Sequence, residues 1–153
     1  MNPQAAQQNY LRTRVLTATP EQLQMMLFDG AIRFAEQARI GLEQKNWEAS
    51  YTSISRCQKI IVELTASLRH DVDPGLCGKL SSLYTYAYKK LVEANVDHTM
   101  EALDEAIQVL KYQRETWALL LDRLGKDKAG KAAQTIDMPA PSDRMEASIR
   151  MSA

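Results

Sequence analysis

Along most of this chain apolar residues recur every three or four positions, the spacing of one face of a helix. Leu23, Leu27, Gly30, Ala31, Phe34, Ala38 and Leu42 form one such line. Trp47, Tyr51, Ile54, Ile61, Leu64 and Leu68 form a second, and Leu76, Leu80, Leu83, Ala87, Leu91 and Ala94 a third. Met100, Leu103, Ile107, Leu110, Trp117, Leu121 and Leu124 form a fourth. The stretch LYTYAYKKLVEAN carries a competing signal, because Tyr84, Tyr86 and Tyr88 fall at a strand's two-residue period. The helix period around them runs from Leu76 to Ala94 and outweighs three tyrosine preferences. No segment shows the alternation bounded by turn residues that predicts a sheet.

Polar residues punctuate these lines. Thr19, Pro20 and Gln22 have the arrangement of a capping box with proline at the first helical position. Asn46 is placed to cap the second helix, and His70 to Gly75 break it. The third helix is expected from about Pro74 to Asn95. Asp97 is the expected cap of the fourth, and Gly125 its expected end. Short connections favour antiparallel neighbours. The pattern therefore predicts an all-α fold: an antiparallel up-down four-helix bundle over 19–125, an N-terminal arm over 1–18 and a flexible tail over 126–153.

Composition narrows the class of protein. The 153 residues suffice for one domain with a substantial core, and 45% hydrophobic with 25% charged residues is ordinary for a globular chain. Nineteen basic and nineteen acidic residues cancel, which removes the field that would attract nucleic acid or an anionic membrane. No apolar run reaches the ~20 residues of a membrane span. The polar start MNPQAAQQNYLRTR has no secretory signal pattern. Cys57 and Cys77 lack CxxC spacing and are expected as two free thiols in a cytosolic protein.

Apolar surface is in excess. A bundle helix needs a stripe a little over ~100° wide. At ~100° per residue the apolar arc of the third helix covers about half its circumference, with Tyr86 among the polar residues opposite. Met25, Phe28 and Ile32 flank the first helix line. Ile60, Ile61 and Val62 are consecutive, and Val109 and Tyr112 flank the fourth line. Tyr10, Val15 and Leu16 are apolar positions within the polar arm. Scattered surface apolars are normal, but excess shared by several helices predicts grooves for an apolar partner. Tyr84, Tyr86, Tyr88 and Val92 are candidates there, and an uncovered groove predicts weak self-association.

The sequence has no phosphate loop, no GxSxG and no HExxH. His70 and His98 are isolated near helix ends, so neither a di-iron bundle site nor another metal or cofactor site is expected. The glutamates read as solvated charges, and no constellation of buried ionisable groups predicts an enzyme. A histidine phosphotransfer module is a helical bundle of similar size, but it needs an exposed histidine inside a helix. A generic helical adaptor is the other alternative.

The same residues carry a family pattern. VLTATPEQLQMMLFDGAIRFAEQA, then LYTYAYKKLVEAN, then LKYQRETWALL, resembles the flagellar secretion chaperone family FliS. Thr17, Ala18, Pro20, Leu23, Leu27, Asp29, Gly30, Ala31 and Ile32 match its first motif. Leu83, Tyr84, Tyr86, Leu91, Ala94 and Asn95 match its second, and Trp117 its last. Thr85 stands where Asp is common and Ala87 where a larger apolar residue is common. The resemblance implies a cytoplasmic export chaperone. Its client would be the disordered C-terminal segment of flagellin, and export-gate and regulatory proteins would be further partners.

Overall fold

The computed structural model describes residues 2–136, and among these the secondary structure is five helices with no strand. They are α1 (Pro3–Thr17), α2 (Pro20–Glu43), α3 (Trp47–Ala66), α4 (Pro74–Asp97) and α5 (Met100–Ile136). The tyrosine-rich stretch is helical within α4, as the helix period predicts.

Local chemistry starts most of these helices where the sequence places the signals. The Thr19 hydroxyl accepts from the Gln22 amide at 3.1 Å, and the Gln22 side chain accepts from the Thr19 amide at 3.0 Å. Two otherwise unpartnered donors of α2 are thus satisfied at once. Asn46 Oδ1 accepts from the Ala49 amide at the start of α3. Asp73 Oδ1 accepts from the Leu76 amide, with Pro74 at the first position of α4. α1 is capped in the same way by Asn2, which accepts from Gln4. The arm is therefore a capped helix, although it has no buried residue.

Two boundaries differ from expectation. Asp97 does not cap the last helix: it ends α4, His98 closes that helix in the left-handed conformation at φ 53°, and the Thr99 hydroxyl accepts from the Ala102 amide instead. Gly125 does not end α5, which continues to Ile136. A glycine in a helix interior costs about 1 kcal/mol relative to alanine, too little to stop a helix whose neighbours favour it. Positions 126–136 of the expected tail are thus helical, and 137–153 lie outside the described residues.

The chain divides into two compact units at Ala118 and Leu119. In the first, side chains of α2, α3, α4 and α5 share one core. Alanine dominates it: Ala31, Ala35, Ala38, Ala87, Ala94, Ala102 and Ala106 are buried beside Phe28, Ile54, Ile61, Leu64, Tyr84, Leu91, Leu103 and Leu110. Small side chains let helix axes approach closely. One close approach is at Gly41, where a Cβ would lie 2.8 Å from the Ser50 backbone nitrogen. At the other end of that pair Ser67 donates to Gln24. Rising positions on α2 thus meet falling positions on α3, so the two run antiparallel.

Charged residues fix α5 against α2 in the same sense. Trp117 Nε1 donates to the Glu21 carbonyl at 3.1 Å. Further along, Asp29 pairs with Arg114, Glu36 with Lys111, and Asp104 with Arg39, which also bonds Glu36. Burial alone would raise the Glu36 pKa, but hydrogen bonds from Arg39 and Lys111 outweigh it and hold the carboxyl below its usual range. Both cysteines are free and buried. In the second unit Asp122 pairs with Lys126 one turn on, and Leu119, Leu120 and Leu124 are exposed.

Candidate partner-binding groove

An open cavity of about 630 Å³ lies along α3 and α4. Its lining combines the small side chains of Thr65 and Ala66 of α3 and Thr85 of α4 with the larger Val62, Tyr88 and Val92. Buried Ile61 and Tyr84 belong to both the core and the lining. Val62 is 55% exposed, Val92 42% and Tyr88 37%, a large apolar area for the surface of one chain. Lys89 is the charged residue of the lining.

The three tyrosines of α4 have three different environments. Tyr84 is 2% exposed and packs on Phe28 with ring centroids 6.5 Å apart. Burial pushes its hydroxyl pKa up to about 12. Tyr88 lines the groove. Tyr86, the most exposed at 43%, lies outside it and donates to Glu105 Oε2 at 3.2 Å. Lys90 bonds the same carboxylate at 3.0 Å and sits 5.7 Å from the Tyr86 ring centroid. The Lys90 bond pulls the Glu105 pKa down, and bonds to Glu105 and Glu93 raise that of Lys90.

The structure brings together only part of the set that the sequence nominates. Tyr84, Tyr88 and Val92 share the groove. Phe28 is a core residue, so its nomination as a surface contact is corrected, and Tyr84 contributes from the core side. Ile60 is half-buried and turned toward α2, where its Cδ1 lies 3.3 Å from where a Cβ on Gly30 would be. Met25, Ile32 and Val109 are half-buried, and Ile32 and Val109 pack against the core. Tyr112 is exposed on α5, and Tyr10, Val15 and Leu16 are exposed on α1. Missed by the sequence reading are Val62, Thr65, Ala66, Thr85 and Lys89. The consecutive Ile60, Ile61 and Val62 held the signal: they divide among the α2 side, the core and the groove.

Two further aromatic groups meet at the end of α4. The Trp47 and His98 rings stack with centroids 3.8 Å apart and planes 3° from parallel. His70 lies in the turn between α3 and α4, so neither histidine projects from within a helix. Among the described residues no group of three His, Cys, Asp or Glu side chains could hold a metal ion, and no helix is long and apolar enough to cross a membrane.

A helical chain with an open apolar groove offers a surface suited to a protein partner. Residues 2–123 match the family described as Flagellar protein FliS. The chain is 30% identical over 129 residues to the Flagellar secretion chaperone FliS of Bacillus subtilis, an alignment covering 84% of this chain and 93% of that one. It is 33% identical over 108 residues to that of Salmonella typhimurium, covering 70% and 80%. To the Escherichia coli protein of the same name it is 28% identical over 115 residues, covering 74% and 85%. The chain belongs to the FliS family of flagellar secretion chaperones.

Proposed function

We propose that this chain is a non-enzymatic cytoplasmic export chaperone that binds the C-terminal segment of flagellin and holds it unpolymerised until export. The observation that carries the reading is the groove between α3 and α4. An amphipathic segment laid there would cover Val62, Tyr88 and Val92, and tyrosine suits such a wall because its ring is apolar while its hydroxyl tolerates water. On this reading α2 to α5 act as an antiparallel up-down four-helix bundle. The opposed order of contacts along α2 with α3 and α5 supports that arrangement. The bundle is a stiff platform, and the client orders itself on it at an entropic cost. Export-gate and regulatory proteins of the flagellum are the further partners expected on this reading.

Calorimetry with a flagellin C-terminal peptide tests the proposal. Binding at concentrations on the order of tens of micromolar is expected. Val92→Glu, which puts a charge into the groove, should weaken it by about tenfold or more while leaving helix content unchanged. Absence of binding by the unmodified chain refutes the flagellin reading. Equal binding by the Val92 variant refutes the groove.

A further inference from the structure

A second surface, on α2 and α3, is built differently. Phe34 is half-buried and its ring is fixed against the core. The guanidinium carbon of Arg33 lies 5.3 Å from the ring centroid, and that of Arg56, on the neighbouring helix, lies 5.6 Å from it. A phenyl face attracts each cation, but the two cations repel one another. Both arginines are exposed, and among the described residues neither meets a carboxylate within 4.0 Å or makes a side-chain hydrogen bond. The carboxylates one turn either side of Arg33 on α2, Asp29 and Glu36, are already taken by other cations. Arg39, Lys111 and Arg114 each hold an acidic partner. Lys59, one turn along α3 from Arg56, is likewise exposed and outside every ion pair of the described residues, and exposed Glu63 pairs with none of these cations.

We propose that Arg33 and Arg56, held on the ring of Phe34, form a clamp for the carboxylates of an acidic segment of a protein partner. A guanidinium presents two parallel donors to one carboxylate, so each arginine can take a carboxylate of its own. The apolar ring beside both forks favours a side chain with methylenes over a bare inorganic anion. Exposed Ile40, on the Arg33 side of α2, extends the apolar part of the patch. The occupant is therefore a peptide that alternates acidic and apolar residues. At about 100° per residue Arg56 lies across α3 from Thr65, so the clamp and the groove face different ways and can be filled together. The clamp does not rest on the flagellin reading.

The test is fluorescence anisotropy with the full chain and a labelled peptide of repeated Glu-Leu-Glu-Ser. A matched peptide with Gln in place of Glu and inorganic phosphate serve as controls. The acidic peptide should bind, weaken as salt screens the contact, and lose about tenfold or more in affinity in the double variant R33Q/R56Q. Removing the same charge from α1, in R12Q/R14Q, should change affinity by less than about twofold, as should Val92→Glu in the groove. Circular dichroism establishes that each variant is folded. Equal losses in the two arginine double variants would reduce the contact to net charge and overturn the clamp. So would equal binding of the Gln peptide, displacement by phosphate at the peptide's own concentration, or loss of binding in the Val92 variant.

Discussion

Gly41 and Ser50 are in contact backbone to backbone: a Cβ on Gly41 would lie 2.8 Å from the Ser50 nitrogen and 3.0 Å from its Cα. Neither atom can swing aside. Gly41→Ala should therefore destabilise the chain by about 1–3 kcal/mol, read from chemical denaturation. At Gly30 the nearest atom is the flexible Cδ1 of Ile60 at 3.3 Å. Gly30→Ala should be close to neutral, because relief of the helix-interior glycine cost of about 1 kcal/mol offsets the small shift. Equal losses at both positions would show that backbone contact is not what separates them.

Substitutions along α4 should separate client binding from stability. Leu91 is fully buried in α4, and Leu91→Ala should cost ~2–5 kcal/mol of folding stability. Tyr88→Ala removes a groove wall that is more than a third exposed, so client affinity should fall more than melting temperature. Tyr86→Ala, at a position the sequence nominated for the groove but which lies outside it, should change both only slightly, through the lost hydrogen bond to Glu105 on an exposed surface. Peptide calorimetry beside thermal melts of the three variants checks the ordering.

Stability should fall in alkaline solution for an identifiable reason. Burial pushes the Cys57 thiol from 9.0 to about 12 and the Tyr84 hydroxyl from 10.0 to about 12. Between those values the unfolded chain gives up protons that the folded chain keeps. The contribution of both groups is thus fully present below about pH 9 and is lost as pH rises toward 12, at up to ~1.4 kcal/mol per pH unit for each group. Denaturation midpoints measured across this range should flatten in the double variant C57A/Y84F. An unchanged slope would mean that these two groups do not set it.

Deleting residues 1–14 tests whether α1 shields apolar surface. No residue of α1 is buried, yet the helix carries Tyr10, Leu11, Val15 and Leu16. A tethered segment has a high effective concentration at a nearby site even with poor intrinsic affinity. The truncated chain should self-associate more and take up client faster in stopped-flow mixing. A truncated chain as monomeric and as slow as the full one would show that α1 is no shield.

Helix identity and most helix starts were legible because a cap is a local device: Thr19 with Gln22, and Asn46, act within one turn. The rotation of each helix about its axis was less so. Phe28, assigned to a flank, is core, while Leu83 and Tyr51, assigned to core lines, are exposed. Where the apolar arc spans half a helix, the pattern fits several rotations, and the approach of neighbours selects one. Here alanines and glycines mark the closest approach and displace larger side chains toward the flanks. Hydrophobicity alone ranks those alanines low, which is why Ala35, Ala102 and Ala106 went unremarked in the sequence. The groove was foreshadowed by surplus apolar residues, but its location depends on small side chains from two helices facing each other. The arginine pair on Phe34 could not be anticipated, because Arg33 and Arg56 come together only when α2 and α3 pack.

The chain's two tryptophans sit at opposite ends of α2. Trp117 is half-buried and bonded to the carbonyl of Glu21 in the first turn, whereas Trp47 opens α3 just past the far end and lies flat against an imidazole. At about 1.5 Å per residue, α2 separates them by roughly 35 Å. The protein therefore carries two built-in emission reporters with unlike surroundings, one bonded indole and one stacked indole. Changing either to phenylalanine leaves a single-site signal, so fraying at one end can be followed in real time without attaching a dye.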